Sequence, residues 1–164
     1  MESDSAGNVG ACADERMLLS RMTIGELLDR AQRRIDRVTV ANVGDAVRDG
    51  ALLVDIRSEA QRARHGLIPG AIFHPRNVLE WRCDPSSGYD DPRLSGDLGR
   101  RIVLVCHEGH QSSLAAVTLQ ELGFTRATDL VGGFLAWAAA GLPVVSEVTR
   151  PGHDSPRRAV SGAG

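Results

Sequence analysis

The sequence predicts an α/β fold in which a central parallel sheet carries helices on both of its faces. Two near-continuous apolar runs, residues 51–56 and 101–105, have the composition of strands that are buried on both sides. Segments with helical spacing alternate with such strands along the chain, and this order favours parallel pairing. The chain has 164 residues and is 42% hydrophobic, so a single domain of ordinary size can bury a core.

The N-terminal region divides into two parts. Residues 1–21 are rich in Ser, Gly, Ala and acidic side chains, and we predict a flexible tail there. Thr23 and Glu26 have the spacing of a capping box, which predicts an amphipathic helix over Ile24–Arg34. Apolar residues recur at helical spacing along it, namely Leu27, Leu28, Ala31 and Ile35. We expect this extension, residues 22–37, to pack against the domain, with docking to a partner as the alternative.

The remaining elements continue the alternation of strands and helices, punctuated by Gly and Pro. Residues 83–98 contain Asp-Pro, Ser-Ser-Gly and Asp-Asp-Pro, which predicts a long polar loop. From residue 146 the composition turns to Thr, Arg, Pro, Gly, His and Ser, and we predict a second flexible tail over residues 146–164. Further strands are predicted at residues 37–40, 71–74 and 127–131, and helices at residues 42–49, 59–65, 77–81, 114–122 and 135–140.

Cys106 stands where the second apolar run ends and a short loop leads into a helix. Gly109 allows the loop to curl around the thiol, and Ser112 or Ser113 is predicted to cap the helix. Backbone N–H groups and the positive end of the helix dipole would then stabilise a thiolate. A buried, inert cysteine is the alternative. Because open α/β sheets bind ligands at the carboxyl ends of their strands, we predict a nucleophilic cysteine.

Residues 106–112, Cys-His-Glu-Gly-His-Gln-Ser, resemble the active loop of the rhodanese family of sulfurtransferases, Cys-x-x-Gly-x-x-Ser/Thr. Three other segments resemble motifs of that family in the same order: Leu-Leu-Val-Asp-Ile-Arg at 52–57, Gly-Leu-Ile-Pro-Gly-Ala at 66–71, and Gly-Gly-Phe-Leu-Ala-Trp at 132–137 followed by Ala-Gly-Leu-Pro-Val. Leu67 stands where histidine is common in the family. The resemblance covers residues 38–145 and implies a rhodanese-like domain, similar to small single-domain rhodaneses of actinobacteria.

The resemblance implies a two-step transfer through Cys106. The thiolate takes a sulfane sulfur from a small donor and becomes a persulfide, and a thiol or cyanide-like acceptor then removes that sulfur. No cofactor and no metal are implied, and neither histidine of the loop is required as a base. Asp55 and Arg57 are implied to support the fold. The residues expected to bind the donor are His107, Glu108, Gly109, His110, Gln111 and Ser112.

The side chains of this loop bear on the choice of donor. The loop contains Glu108 but no Lys or Arg, so its side-chain charge is about −1 when both histidines are neutral. Cationic side chains would bind a dianion such as thiosulfate, whereas a negatively charged loop repels it. We therefore predict a thiol persulfide or a protein persulfide as the donor. The alternative is that Glu108 points to solvent or pairs with a distant arginine and does not affect the donor.

Two alternative readings concern the cysteines and the active loop. Cys83 lies in the predicted polar loop and is expected to be a surface thiol without a role; resolution of a Cys106 persulfide is the other interpretation. Ser112 stands six residues after Cys106, where the Cys-x5-Arg loops of cysteine phosphatases have arginine, so a phosphatase is not favoured. The more serious rival is a non-enzymatic rhodanese module that binds a partner or senses redox state. Cys106 together with Gly109 and Ser112 favours an enzyme.

Charge and cysteine content exclude other classes of function. The net charge is −2 without a block of like charges, which argues against a nucleic-acid or membrane surface. Cys12, Cys83 and Cys106 lack the spacing of a metal or disulfide framework, and Cys106 with His110 alone makes a poor metal site. No secretory signal is recognised at the N-terminus, so we predict a reduced, cytoplasmic setting.

Overall fold

Four short strands form one parallel sheet in the computed structural model, which describes residues 21–146. The spatial order of the strands is β2-β1-β3-β4, so the strand that precedes Cys106 lies inside the sheet. β3 pairs with β1 over four residues, and Asp55 lies opposite Val105. The strands are β1 (Leu52–Asp55), β2 (Ile72–Phe73), β3 (Ile102–Val105) and β4 (Ala127–Asp129).

Helices cover both faces of this sheet, which confirms the predicted α/β class. Alternate residues of β3 point to opposite sides: Ile102 and Leu104 belong to one buried cluster, and Val103 and Val105 belong to the other. Each face therefore has its own core. The helices are α1 (Ile24–Arg34), α2 (Val43–Arg48), α3 (Glu59–His65), α4 (Leu79–Cys83), α5 (Pro92–Ser95), α6 (Gln111–Glu121) and α7 (Gly133–Ala139), with a 3-10 turn at Arg76–Val78.

The N-terminal extension packs against the domain rather than standing apart from it. Thr23 and Glu26 form the predicted capping box, and α1 lies beside α6. Ala31 and Ile35 are buried, whereas Leu27 is 42% exposed and does not reach the core. The apolar stripe predicted for this helix is therefore buried only toward its C-terminal end.

The segment predicted as a polar loop after α4 contains a buried helical turn. The side chain of Asp91 caps α5 by accepting a hydrogen bond from the N–H of Arg93, and Pro92 occupies the first turn. This turn inserts Leu94 into the core. The residues around Leu94 are polar, so local composition concealed the one apolar anchor that folds the segment back on the sheet.

Cys83 is wrongly predicted as a surface thiol. It ends α4 with 0% of its surface exposed, in the same apolar cluster as Leu94. Burial, with smaller contributions from the charges of Glu80 and Asp91, raises the pKa of the Cys83 thiol to about 12. Cys83 is therefore a protonated core residue at neutral pH.

The structure corrects one strand prediction and describes almost none of the two predicted tails. The strand predicted at residues 37–40 is a single bridge, in which Val38 pairs with Leu130. Both predicted tails lie outside the described residues apart from Arg21 and Ser146, and so does Cys12. Among residues 21–146, no helix combines the length and the apolar character that crossing a membrane requires.

Candidate active site

Cys106 follows β3 directly and lies at the carboxyl edge of the sheet. The alternation of β3 directs its side chain to the face covered by α6, where the residue is 3% exposed. Its Sγ accepts a hydrogen bond from the N–H of Gly109 at 3.1 Å, and the Oγ of Ser112 lies 3.2 Å away. The sulfur is thus held by two polar groups in an otherwise apolar setting, and both can donate to an anion.

The loop can take this shape because glycines let the chain segments approach closely. Gly109 has a φ of +80°, and a Cβ there would lie 2.6 Å from the backbone nitrogen of Gly132. A Cβ on Gly133 would lie 2.5 Å from the carbonyl oxygen of Cys106. Side chains at either position would collide with backbone, so Gly109 and Gly133 are required by the close contact between the active loop and the start of α7.

The start of α7 also binds the carbonyl groups of the active loop. The N–H of Phe134 donates to the carbonyl oxygen of Cys106 at 2.8 Å, and the N–H of Leu135 donates to that of His107 at 3.0 Å. These acceptors therefore point away from the sulfur. A carbonyl that faced a thiolate would repel it, so the packing of α7 contributes to an electropositive environment for Cys106.

Ser112 and Ser113 do not cap α6, contrary to the prediction. The helix begins at Gln111, its N-cap is His110, and no side-chain capping bond is made there. Both serines lie in the first turn with their hydroxyls turned inward, and both are fully buried. Their hydroxyls donate to Asp129 Oδ2, at 3.1 Å from Ser112 and 2.7 Å from Ser113.

Asp129 and Arg37 belong to the site and were not predicted from the sequence. Asp129 ends β4 with 0% of its surface exposed. Arg37 reaches it from the N-terminal extension, with Nε 2.8 Å from Oδ1 and Nη2 3.0 Å from Oδ2. The same Nη2 donates to the carbonyl oxygen of Gly109 at 3.1 Å. An acidic residue within the strand predicted at residues 127–131 was the available signal, because a carboxylate buried in a sheet requires a partner.

The other predicted loop residues lie nearer to solvent. Glu108 and His110 are exposed and 3.8 Å apart, and Gln111 is exposed as well. Glu108 therefore points to solvent, as the alternative interpretation held. The ring of His107 stacks on Phe134 and lies 5.0 Å from the ring of His65, which builds an aromatic wall on one side of the loop.

Asp55 and Arg57 form a buried ion pair at the carboxyl end of β1. Nη2 of Arg57 lies 2.7 Å from Asp55 Oδ2 and also donates to the carbonyl oxygen of Gly66. The guanidinium lies 3.7 Å over the ring of Phe134. Asp55 has a second partner in Arg62, whose Nε lies 3.2 Å from Oδ2, whereas removing Asp55 would leave the buried Arg57 without a counter-charge. Through the bond to Gly66, the pair ties the loop before Ile68 to the sheet. No bond from this pair to Cys106 exists in the part of the chain that the structure describes.

The rhodanese-like domain model matches residues 39–140 of this chain. The chain belongs to the rhodanese family. Its curated relatives include a sulfurtransferase of Allochromatium vinosum, 35% identical over 98 residues that cover 60% of this chain and 81% of the relative. They also include the thiosulfate sulfurtransferase GlpE of Haemophilus influenzae, 28% identical over 65% of this chain and 91% of the relative. The protein is thus a rhodanese-type sulfurtransferase.

A solved structure supports the same rhodanese fold. A protein of unknown function from Rhodopseudomonas palustris, described as a possible tyrosine phosphatase, is 35% identical with a TM-score of 0.70. The alignment covers 76% of this chain and 95% of that one. The family match begins at residue 39, two residues after Arg37.

Proposed function

We propose that Cys106 is the nucleophile of the transfer and carries the sulfur as a persulfide. The observation that supports this role is the environment of Sγ, which receives the N–H of Gly109 at 3.1 Å and faces the hydroxyl of Ser112 at 3.2 Å. Both groups can donate to a thiolate, and both can stabilise negative charge as it develops during transfer. A cysteine placed only for packing needs neither group.

In the first half-reaction the Cys106 thiolate attacks the outer sulfur of the donor. A new S–S bond forms at Cys106, and the old bond to that sulfur breaks with its electron pair on the departing thiolate or sulfite. In the second half-reaction an acceptor thiolate or cyanide attacks the outer sulfur of the persulfide. The Cys106–sulfur bond then breaks and restores the Cys106 thiolate, so no base, cofactor or oxidant is consumed.

We propose further that a persulfide is a better donor than thiosulfate. No Lys or Arg lies in the loop, and Arg37 is committed to Asp129 and to the carbonyl of Gly109. Because Glu108 is 60% exposed, solvent and salt screen its charge and limit the preference to about tenfold or less. The Haemophilus relatives are named for thiosulfate, which makes thiosulfate the competing donor.

The proposed site is not that of a phosphatase. Ser112 occupies the position of the arginine that clamps a tetrahedral oxyanion in Cys-x5-Arg loops, and its hydroxyl is bound to Asp129. The possible phosphatase activity attributed to the Rhodopseudomonas protein is therefore not extended to this chain.

The test is thiocyanate formation from cyanide with each of two donors, thiosulfate and glutathione persulfide. Wild type is expected to turn over with both and to prefer the persulfide, whereas Cys106→Ser is expected to be inactive with both. Glu108→Lys tests the donor argument. It should raise kcat/KM for thiosulfate about fivefold and change kcat/KM for glutathione persulfide little, because the reacting end of the persulfide carries a single charge. Full activity of Cys106→Ser would refute the proposal that Cys106 is the nucleophile. Thiosulfate used as well as persulfide, with no response to Glu108→Lys, would overturn the donor preference.

A further inference from the structure

The N-terminal extension delivers a charged side chain to the active loop. Arg37 lies before residues 39–140, which match the family model, yet it binds both β4 and the loop that holds Cys106. The extension is anchored on the domain by buried Ala31 and Ile35, and Gln32 bonds to the hydroxyl of Ser113. A segment used only for packing would not need a guanidinium at this point.

We propose that Arg37 and Asp129 are positioning residues that prepare Cys106 to act as a thiolate. The proposal rests on the nucleophilic role of Cys106 and assigns the extension a part in the reaction. It has two components, the charge balance around Asp129 and the geometry of Gly109.

Charge balance follows from the burial of Asp129. Its carboxylate is fully buried and is linked to the sulfur by one side chain, Ser112, which lies 3.1 Å from Asp129 Oδ2 and 3.2 Å from Sγ. Two negative charges so close together in an apolar region disfavour each other. The two-pronged bond from Arg37 neutralises Asp129, which lets a second charge form at Cys106.

The hydroxyl of Ser112 has a single proton, which can be donated either to Asp129 or to the sulfur. When Cys106 is a thiol, Ser112 can donate to Asp129 and accept from S–H; when Cys106 is a thiolate, the same proton can turn to the sulfur. Asp129 then still holds Arg37 and the hydroxyl of Ser113, at 2.7 Å. The carboxylate of Asp129 thus keeps hydrogen-bond partners when the hydroxyl of Ser112 rotates toward the sulfur, so this rotation costs little free energy.

The geometry of Gly109 is fixed by the same guanidinium. Gly109 has a positive φ and no side chain to restrain it, and its N–H is the backbone donor to Sγ. Its carbonyl oxygen accepts a hydrogen bond from Arg37 Nη2 at 3.1 Å, and the Oγ of Ser113, whose proton is given to Asp129, lies 3.2 Å from it. The bond from Arg37 therefore keeps the N–H of this glycine aimed at the sulfur.

The test compares Arg37→Gln, Asp129→Asn and the double variant with wild type. The readout is the rate at which iodoacetamide alkylates Cys106, resolved from other cysteines by peptide mass, together with sulfur loading from glutathione persulfide. Arg37→Gln leaves the charge of Asp129 uncompensated, so alkylation at pH 7 should fall at least about tenfold and its pH profile should move to higher pH. Removing that charge in the double variant should recover at least about threefold of the lost rate, and the deficit that remains reports the missing bond to the carbonyl of Gly109.

Arg34→Gln is the matched control, because Arg34 forms an exposed ion pair with Glu121 at the end of the same extension. It should alkylate and load sulfur at the wild-type rate. Arg37→Lys retains the charge and should lose less than Arg37→Gln. Thermal denaturation shows that each variant is folded; if Arg37→Gln is not, the recovery is measured from Arg37→Lys to Arg37→Lys/Asp129→Asn.

Three outcomes would overturn the proposal. Arg37→Gln could react like Arg34→Gln, the double variant could be slower than Arg37→Gln, or Arg37→Lys and Arg37→Gln could lose equally. A wild-type protein that is alkylated at Cys106 but loads no sulfur would instead refute the proposed function. Alkylation measures the reactivity of Cys106 without any sulfur donor, so it tests the roles of Arg37 and Asp129 separately.

Discussion

Ser112→Ala should separate the chemistry of the active loop from its folding. The substitution removes the hydroxyl that lies 3.2 Å from Sγ and leaves the backbone and the N–H of Gly109 in place. A hydrogen bond to a charged partner contributes about 1.5–3 kcal/mol. If Ser112 donates to the Cys106 thiolate, its loss should lower the sulfur-transfer rate about 10- to 100-fold.

Ser113→Ala is the matched control for this substitution. Ser113 is the next residue, is equally buried and bonds to the same oxygen of Asp129, but its second partner is the carbonyl of Gly109 rather than the sulfur. Its removal should reduce the free energy of unfolding by about 1–3 kcal/mol, because Asp129 and the carbonyl of Gly109 both lose a polar neighbour, and should lower the transfer rate less than Ser112→Ala does.

The assay is single-turnover sulfur loading from glutathione persulfide, with urea unfolding of each variant in parallel. Ser112→Ala should be slow and nearly as stable as wild type, because Asp129 keeps its bonds to Arg37 and Ser113. Equal rates for the two alanine variants would refute the reasoning, since the hydroxyl at 3.2 Å would then make no specific contribution to the thiolate.

Three further predictions concern residues outside the sulfur network. Cys83→Ala should cost about 1–2 kcal/mol of stability with unchanged turnover. The wild-type Cys83 thiol, with its pKa raised to about 12, should resist iodoacetamide at pH 8 until urea is added. Alkylation of Cys83 in the folded protein, resolved by peptide mass, would contradict this. The side-chain hydrogen bond from Arg93 holds the pKa of Asp91 well below its ordinary value. The ionised Asp91 therefore stabilises the folded protein above about pH 4, and this stabilisation disappears as the pH falls. Asp91→Asn should therefore cost about 1 kcal/mol at pH 7 and progressively less toward pH 2; a constant cost measured by urea unfolding would contradict the ionic origin. Gly133→Ala should cost about 2–4 kcal/mol of stability and slow alkylation of Cys106, because the new Cβ would collide with backbone. Gly141 also has a positive φ but lies in open space, so Gly141→Ala should cost only about 1–2 kcal/mol. Equal free energies of unfolding for the two variants would refute the close-approach argument.

Local pattern was sufficient to predict the scaffold of this protein. The apolar runs at β1 and β3, the capping box at Thr23 and the placement of Cys106 after a strand all depend on residues that are close together in the sequence. The family motif at residues 132–137 was recognised as a signature, and the structure shows its physical reason. Gly133 must pass within contact distance of the backbone of Cys106.

Long-range partners were what the sequence did not reveal. Ser112 and Ser113 have the right residue type for helix caps, but the helix begins before them at Gln111. Their hydroxyls bind Asp129, which lies 17 and 16 residues further along the chain. Arg37 is 92 residues from the carboxylate that it binds. Cys83 was misjudged for a related reason, because Leu94 buries it from a segment whose composition is polar.

Intact mass of the protein after exposure to glutathione persulfide tests the central claim most directly. Wild type should gain the mass of one sulfur atom, cyanide should remove it, and Cys106→Ala should gain nothing although Cys12 and Cys83 remain. A gain of the same size in Cys106→Ala, or no cyanide-sensitive sulfur on the wild type, would contradict a transfer that passes through Cys106.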